Sequence, residues 1–193
     1  MRKDFQVSPD ETEEIMRIFR EVLSIAGDAV EFGCYKGDSS VIFQRILEEN
    51  GATKKLWLYD SFAGLPKKSR FDASSAGENF QEGELPASKA ELIRRFKRAN
   101  LRVPIIRKAF FEELSETDLP ERISFGFLDG DFYQSIRTSL KLCAPKMEKG
   151  GVLVVHDYNN PELPGPARAV EEFLREHPSL RFSQRYSLGI MRF

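Results

Sequence analysis

Two apolar runs in this chain end abruptly in acid. Phe127-Leu128-Asp129-Gly130-Asp131 and Val154-Val155-His156-Asp157 are strand-like up to the charged position and then stop. Carboxylates brought together repel unless one keeps its proton or a cation lies between them, and two aspartates with one imidazole are donors that a divalent cation accepts. Asp129, His156 and Asp157 are therefore the candidate metal ligands. Asp131 reads as the cap of a helix opening at Phe132, and Asp157 has a competing reading as a turn residue before the proline-rich stretch 161–166. His156 also reads as a metal-free base or a packed strand-end residue, whereas His177, near a helix end, reads as solvated.

Three further strand ends carry chemistry-bearing residues. In Glu31-Phe32-Gly33-Cys34-Tyr35-Lys36-Gly37 the first glycine suits a tight turn with close ligand approach, and the second suits a sharp entry into a helix. The spacing differs from the G-x-G-x-x-G dinucleotide pattern, so it points to a ligand without a pyrophosphate, such as a nucleoside carrying an amino-acid tail. Asp60 ends the run Leu56-Trp57-Leu58-Tyr59, where a carboxylate can accept both ribose hydroxyls, with a turn aspartate as the plainer reading. Phe110 and Phe111 follow Arg107-Lys108, placed to sandwich a base or simply to join the core.

The elements that position these residues alternate. Ser8-Pro9-Asp10-Glu11 is a capping box with proline at the first helical position, and Ile15, Ile18, Phe19, Val22 and Leu23 recur on one helical face. Residues 28–33 read as a short buried strand, Asp38 as a helix cap, and Val41, Ile42, Ile46 and Leu47 as that helix's inner face. Strands at 56–59, 103–106, 123–128 and 152–155 are separated by helices opening at Ser88 and covering 132–143 and 167–177, the rhythm of a parallel sheet covered on both faces. Residues 180–185 and 188–193 close it as a hairpin. The long polar stretch 61–86 reads as a mobile surface loop and candidate lid.

The chain has 193 residues, 41% of them hydrophobic, which suits a single domain. A net charge of −1 with interspersed signs lacks the one-sign field that nucleic acid or an anionic membrane surface requires, so a small molecule is the expected partner. Two cysteines, Cys34 and Cys143, form no paired motif and fit a reducing cytoplasm. No apolar leader or membrane span is visible.

Five segments together resemble the macrocin O-methyltransferase-like branch of class I S-adenosylmethionine-dependent methyltransferases: 31–37, 60–66, 109–114, 128–135 and 150–158. The resemblance covers roughly residues 28–175 and implies an α/β, Rossmann-like fold; residues 1–193 read as one domain, with 1–27 as an N-terminal helix and 61–86 as a candidate lid loop. Its sheet would have seven mostly parallel strands, the last antiparallel, with helices on both faces. It implies that S-adenosylmethionine lies over the first two strand ends, with Glu31, Gly33, Cys34, Tyr35 and Gly37 framing the methionine portion. Asp60 and Ser61 would hold the ribose, Phe110 would lie near adenine, and Asp129 would face both cofactor and metal. Magnesium would be held by Asp129, His156 and Asp157. Relatives often have aspartate where this chain has His156, which opens the site to a softer metal or to none.

The implied reaction is methylation of a hydroxyl on a sugar, polyol or natural-product intermediate, with Asp129 as base and Phe71 and Phe80 of the lid against the acceptor. The rivals are a metal-independent methyltransferase using His156 as base and a non-catalytic S-adenosylmethionine-binding module. The chain is short at its N-terminus beside antibiotic-tailoring members, which speaks against a large macrolide-like acceptor. A homodimer is compatible with the resemblance.

Overall fold

The structure, a computed structural model, describes residues 7–76 and 80–193. Helix α1 (Pro9–Glu21) opens with the capping box intact: Ser8 Oγ accepts from the Glu11 amide while the Glu11 carboxylate accepts from the Ser8 amide. Strand β1 (Asp28–Phe32) leads through a turn into α2 (Asp38–Glu49), followed by β2 (Leu56–Asp60). Helix α3 (Lys89–Arg98) precedes β3 (Ile105–Lys108) and β4 (Ile123–Leu128). The chain continues through α4 (Tyr133–Cys143), β5 (Met147–Val155) and α5 (Pro164–Glu176) to the hairpin of β6 (Arg181–Arg185) and β7 (Leu188–Arg192).

The strands form one sheet in the order β3-β2-β1-β4-β5-β7-β6. Neighbours from β3 to β5 pair in parallel, and β7 runs antiparallel to both β5 and β6. Side-chain alternation divides the core cleanly. Ala29, Phe125, Phe127, Val152 and Val154 face α1, α2 and α3, where Phe19, Phe43 and Phe96 pack. Val30, Leu128, Leu153 and Val155 face α4 and α5, against Ile136, Leu140 and Val170. Strands buried on both faces become continuous apolar runs, which explains why the change to charge at their ends is so abrupt. Winding reverses at β1, which lies between β2 and β4, and this opens a crevice beyond the carboxyl ends of those strands.

Three helix starts differ from the sequence reading. Gly37, with φ +84°, is the N-cap of α2, and Asp38 falls in the first turn, where it pairs with Arg95 of α3. The N-cap of α4 is Phe132 and receives no bond from its own side chain or from Asp131. Asp131 instead adopts φ +57°, and the Phe132 amide donates to the Gly130 carbonyl at 2.6 Å, so the chain makes a tight left-handed turn between β4 and α4. Helix α5 begins at Pro164, three residues ahead of the predicted start. His177, expected in solvent, is half-buried and stacks on Phe173.

Candidate cofactor and cation site

The turn after β1 is locked to its neighbours. The Gly33 amide donates to the Tyr59 carbonyl at 2.8 Å, and the Asp129 amide donates to the Phe32 carbonyl at 2.8 Å. A Cβ added to Gly33, whose φ is +87°, would stand 1.8 Å from the Asp129 carbonyl oxygen. The glycine is thus required by the backbone of β4 as well as by the turn. Asp60 fixes the same loop: its carboxylate accepts from the Tyr35 amide at 2.8 Å and the Phe62 amide at 2.7 Å, both residues having positive φ. Burial raises the Asp60 pKa, and those backbone bonds oppose the rise.

Glu31 points elsewhere. Its fully buried carboxyl accepts from the hydroxyls of Ser39 and Ser40 in the first turn of α2, and burial pushes its pKa up to about 8. It lines neither of the two cavities in the crevice. The first cavity is bounded by Asp60, Ser61, Phe110, Phe111, Gly130 and Asp131. The second runs under α1 and is bounded by Cys34, Gly37, Ser39, Ile15, Met16 and Arg95. Gly33, Tyr35 and Asp129 line both. Burial pushes the Cys34 thiol up, leaving a neutral wall residue.

Asp129, His156 and Asp157 meet beside these cavities because β4 and β5 are adjacent and in register, with the His156 amide donating to the Leu128 carbonyl at 3.0 Å. The imidazole Nδ1 lies 3.0 Å from Asp129 Oδ1 and 3.1 Å from Asp157 Oδ2, while Nε2 faces Glu11 Oε2 of α1 at 3.8 Å. Burial opposes the imidazolium, but the three carboxylates outweigh it and hold the His156 pKa well above its ordinary value. Glu11 is shifted the other way, chiefly by the His156 ring beside it. One ligand atom from each of Asp129, His156 and Asp157 lies within 4.8 Å of the others. Such a set fits a divalent cation, and its nitrogen favours a borderline ion such as zinc over magnesium, which prefers an all-oxygen shell.

A family model for macrocin-O-methyltransferase (TylF) matches residues 11–180. This chain belongs to that family. A Streptomyces olivaceus family relative, named as the 8-demethyl-8-(2,3-dimethoxy-alpha-L-rhamnosyl)-tetracenomycin-C 4'-O-methyltransferase, is 27% identical over 141 residues, 69% of this chain and 54% of its own length. The demethyldecarbamoylnovobiocin O-methyltransferase of Streptomyces niveus is 26% identical over 156 residues, 76% of this chain and 59% of its own. The chain therefore spans little more than half the length of the curated relatives it matches. The solved O-methyltransferase NovP superposes with a TM-score of 0.81 at 23% identity, covering 94% of this chain and 78% of NovP, and so shares the Rossmann-like methyltransferase fold.

Three residues in or near the site escaped the sequence reading. Glu11 was visible only as half of a capping box, yet its other oxygen accepts from the amide and hydroxyl of Ser187 in the β6–β7 turn. Arg95 borders the second cavity and donates to the Lys36 carbonyl at 2.9 Å. Asp72 lies in the polar stretch and is 1% exposed. Two phenylalanines of that stretch are packed against the body of the protein. Phe71 packs on Tyr133 at 4.6 Å between ring centroids, and Phe80 joins Leu65, Phe132 and Leu163 in a small apolar cluster. Among the described residues, no helix is long and apolar enough to cross a membrane.

Proposed function

We propose that this chain is an S-adenosylmethionine-dependent O-methyltransferase acting on a hydroxyl of a small molecule, with a sugar hydroxyl as the best-supported acceptor. The observation that carries the reading is the pair of cavities that share Gly33, Tyr35 and Asp129 in their walls, beside the Asp129–His156–Asp157 cluster. The first cavity suits an adenosine: Asp60 and Ser61 offer acceptors to the ribose, and Phe110 offers a face to the base. The second suits an amino-acid tail, with Cys34 and Gly37 along its wall, while Asp129, which lines both cavities, would lie beside the positive sulfonium. Glu31 supports this site from behind by fixing the first turn of α2. The rhamnosyl substrate in the name of the Streptomyces olivaceus relative supports the sugar acceptor.

When bound, S-adenosylmethionine supplies an electrophilic methyl group, and a divalent cation held by Asp129, His156 and Asp157 would acidify the acceptor hydroxyl. Transfer forms a carbon–oxygen bond as the carbon–sulfur bond breaks, and the hydroxyl proton must leave. Asp129 is the proposed acceptor of that proton. His156 is the poorer base, because its Nδ1 already lies between two carboxylates that favour the protonated ring. The same geometry favours, as a second reading, a metal-free enzyme in which the imidazolium itself neutralises the carboxylates.

Calorimetric titration with S-adenosylhomocysteine, followed by methyl-transfer assays on rhamnosylated acceptors with and without chelator, tests the proposal. Asp129→Asn should lower turnover by a factor of about 100 to 10,000 while S-adenosylhomocysteine binding stays measurable. Failure of the wild-type chain to bind S-adenosylhomocysteine would remove the methyltransferase reading, and full activity in chelator would select the metal-free one.

A further inference from the structure

The first cavity has two walls that are far apart in sequence. One is the strap after β2, contributing Gly64, Leu65 and Leu85; the other is the left-handed turn after β4 and the start of α4, contributing Gly130, Asp131 and Ser135. The second wall is inherently weak. It holds a non-glycine residue at φ +57°, and α4 has no cap from its own N-cap side chain.

Asp72 supplies what α4 lacks. Its Oδ1 accepts from the Tyr133 amide, the first of the helix, at 2.6 Å across a separation of 61 residues. Its Oδ2 accepts from the Ser69 amide at 2.8 Å and the Ser69 hydroxyl at 2.6 Å, which fixes the local turn that carries it. Gly165 at the start of α5 makes room for this contact, since a Cβ there would stand 2.1 Å from Asp72 Oδ1. Beside the carboxylate, Phe71 packs on the Tyr133 ring, and the Arg168 guanidinium lies 3.9 Å from its centroid. Ser74 adds a separate bond to the Pro161 carbonyl at 2.7 Å.

We propose that Asp72 is a positioning residue for the cofactor cavity: it caps α4 from the strap and so holds the two walls at one fixed separation. A carboxylate at a helix N-terminus satisfies an otherwise unpaired amide and complements the helix dipole, an effect sufficient to change a ligand affinity several-fold when the ligand needs both walls. The inference rests on the methyltransferase reading for its ligand and on the structure alone for the latch.

Both parts are tested with the full chain, S-adenosylhomocysteine titration and amide hydrogen exchange. Asp72→Ala should weaken S-adenosylhomocysteine binding by roughly tenfold and speed exchange at the Tyr133 amide. Gly165→Ala, whose Cβ would stand 2.1 Å from Asp72 Oδ1 and 2.5 Å from the Tyr133 amide nitrogen, disturbs the same contact from the α5 side and should do the same. Asp72→Asn keeps an acceptor for the Tyr133 amide and should recover most of the affinity, while Ser74→Ala, which removes a strap contact away from α4, should leave it unchanged. Wild-type affinity in a folded Asp72→Ala protein overturns the proposal, as does equal weakening by Ser74→Ala. If the wild-type chain binds no S-adenosylhomocysteine, the methyltransferase reading fails separately, and Tyr133 exchange decides the latch: faster exchange in Asp72→Ala upholds it and unchanged exchange overturns it.

Discussion

Glu31 should make the protein less stable as the solution becomes more alkaline. Its carboxyl is 0% exposed, its hydrogen-bond donors are the hydroxyls of Ser39 and Ser40, and the nearby charges of Asp129 and Asp60 share its sign. Burial is the largest cause of a folded-state pKa of about 8, against an ordinary 4.5. Between those values the unfolded chain has released its proton while the native chain still holds it, so stability falls with rising pH across that window and is level on either side. At about 1.4 kcal/mol per pH unit the ceiling is about 5 kcal/mol, and relaxation around a charged Glu31 reduces it. Glu31→Gln keeps the shape and cannot ionise. Urea unfolding of both proteins at about pH 5 and about pH 8.5 should show the variant gaining at least about 2 kcal/mol on wild type between the two conditions. Parallel curves would refute the claim that this carboxyl stays protonated near neutrality.

Two other perturbations probe the site. Gly33→Ala places a methyl group against the Asp129 carbonyl in a left-handed backbone, and urea denaturation should register a loss of at least about 3 kcal/mol; a loss below about 1 kcal/mol would mean that β1 and β4 are less closely apposed than described. His156→Asp replaces the nitrogen donor with oxygen, and calorimetry should show the preference for zinc over magnesium narrowing by roughly tenfold. An unchanged preference would mean that the imidazole is not a ligand.

The site was legible where local pattern and global placement coincide. Asp60, Asp129 and Asp157 end apolar strands, and parallel pairing then brings strand ends together without further information. Glu11 was only half visible: the capping box is a local signal, but its contact with Ser187 spans 176 residues and depends on where the final hairpin lies. Asp131 misled because aspartate ahead of a helix is normally a cap, whereas here the one-residue turn at φ +57° rotates it into the cavity wall. Asp72 gave no signal, since its stretch has neither helical nor strand periodicity and its partner is an amide of a distant helix. The pairing of Asp38 with Arg95 escaped notice because Gly37 took the cap position one residue earlier.

The placement of β7 between β5 and β6 imposes an order on assembly. Strand β6 leaves the ribosome first, yet pairs with β7 alone, so it must wait unpaired until the strand after it is made. During that interval the outer edge of β5, with Val152 to Val155 in it, is open to any other extended chain. Shortening the chain by the residues of β7 would make that transient exposure permanent, so such truncations should collect as aggregates rather than as folded protein lacking a strand.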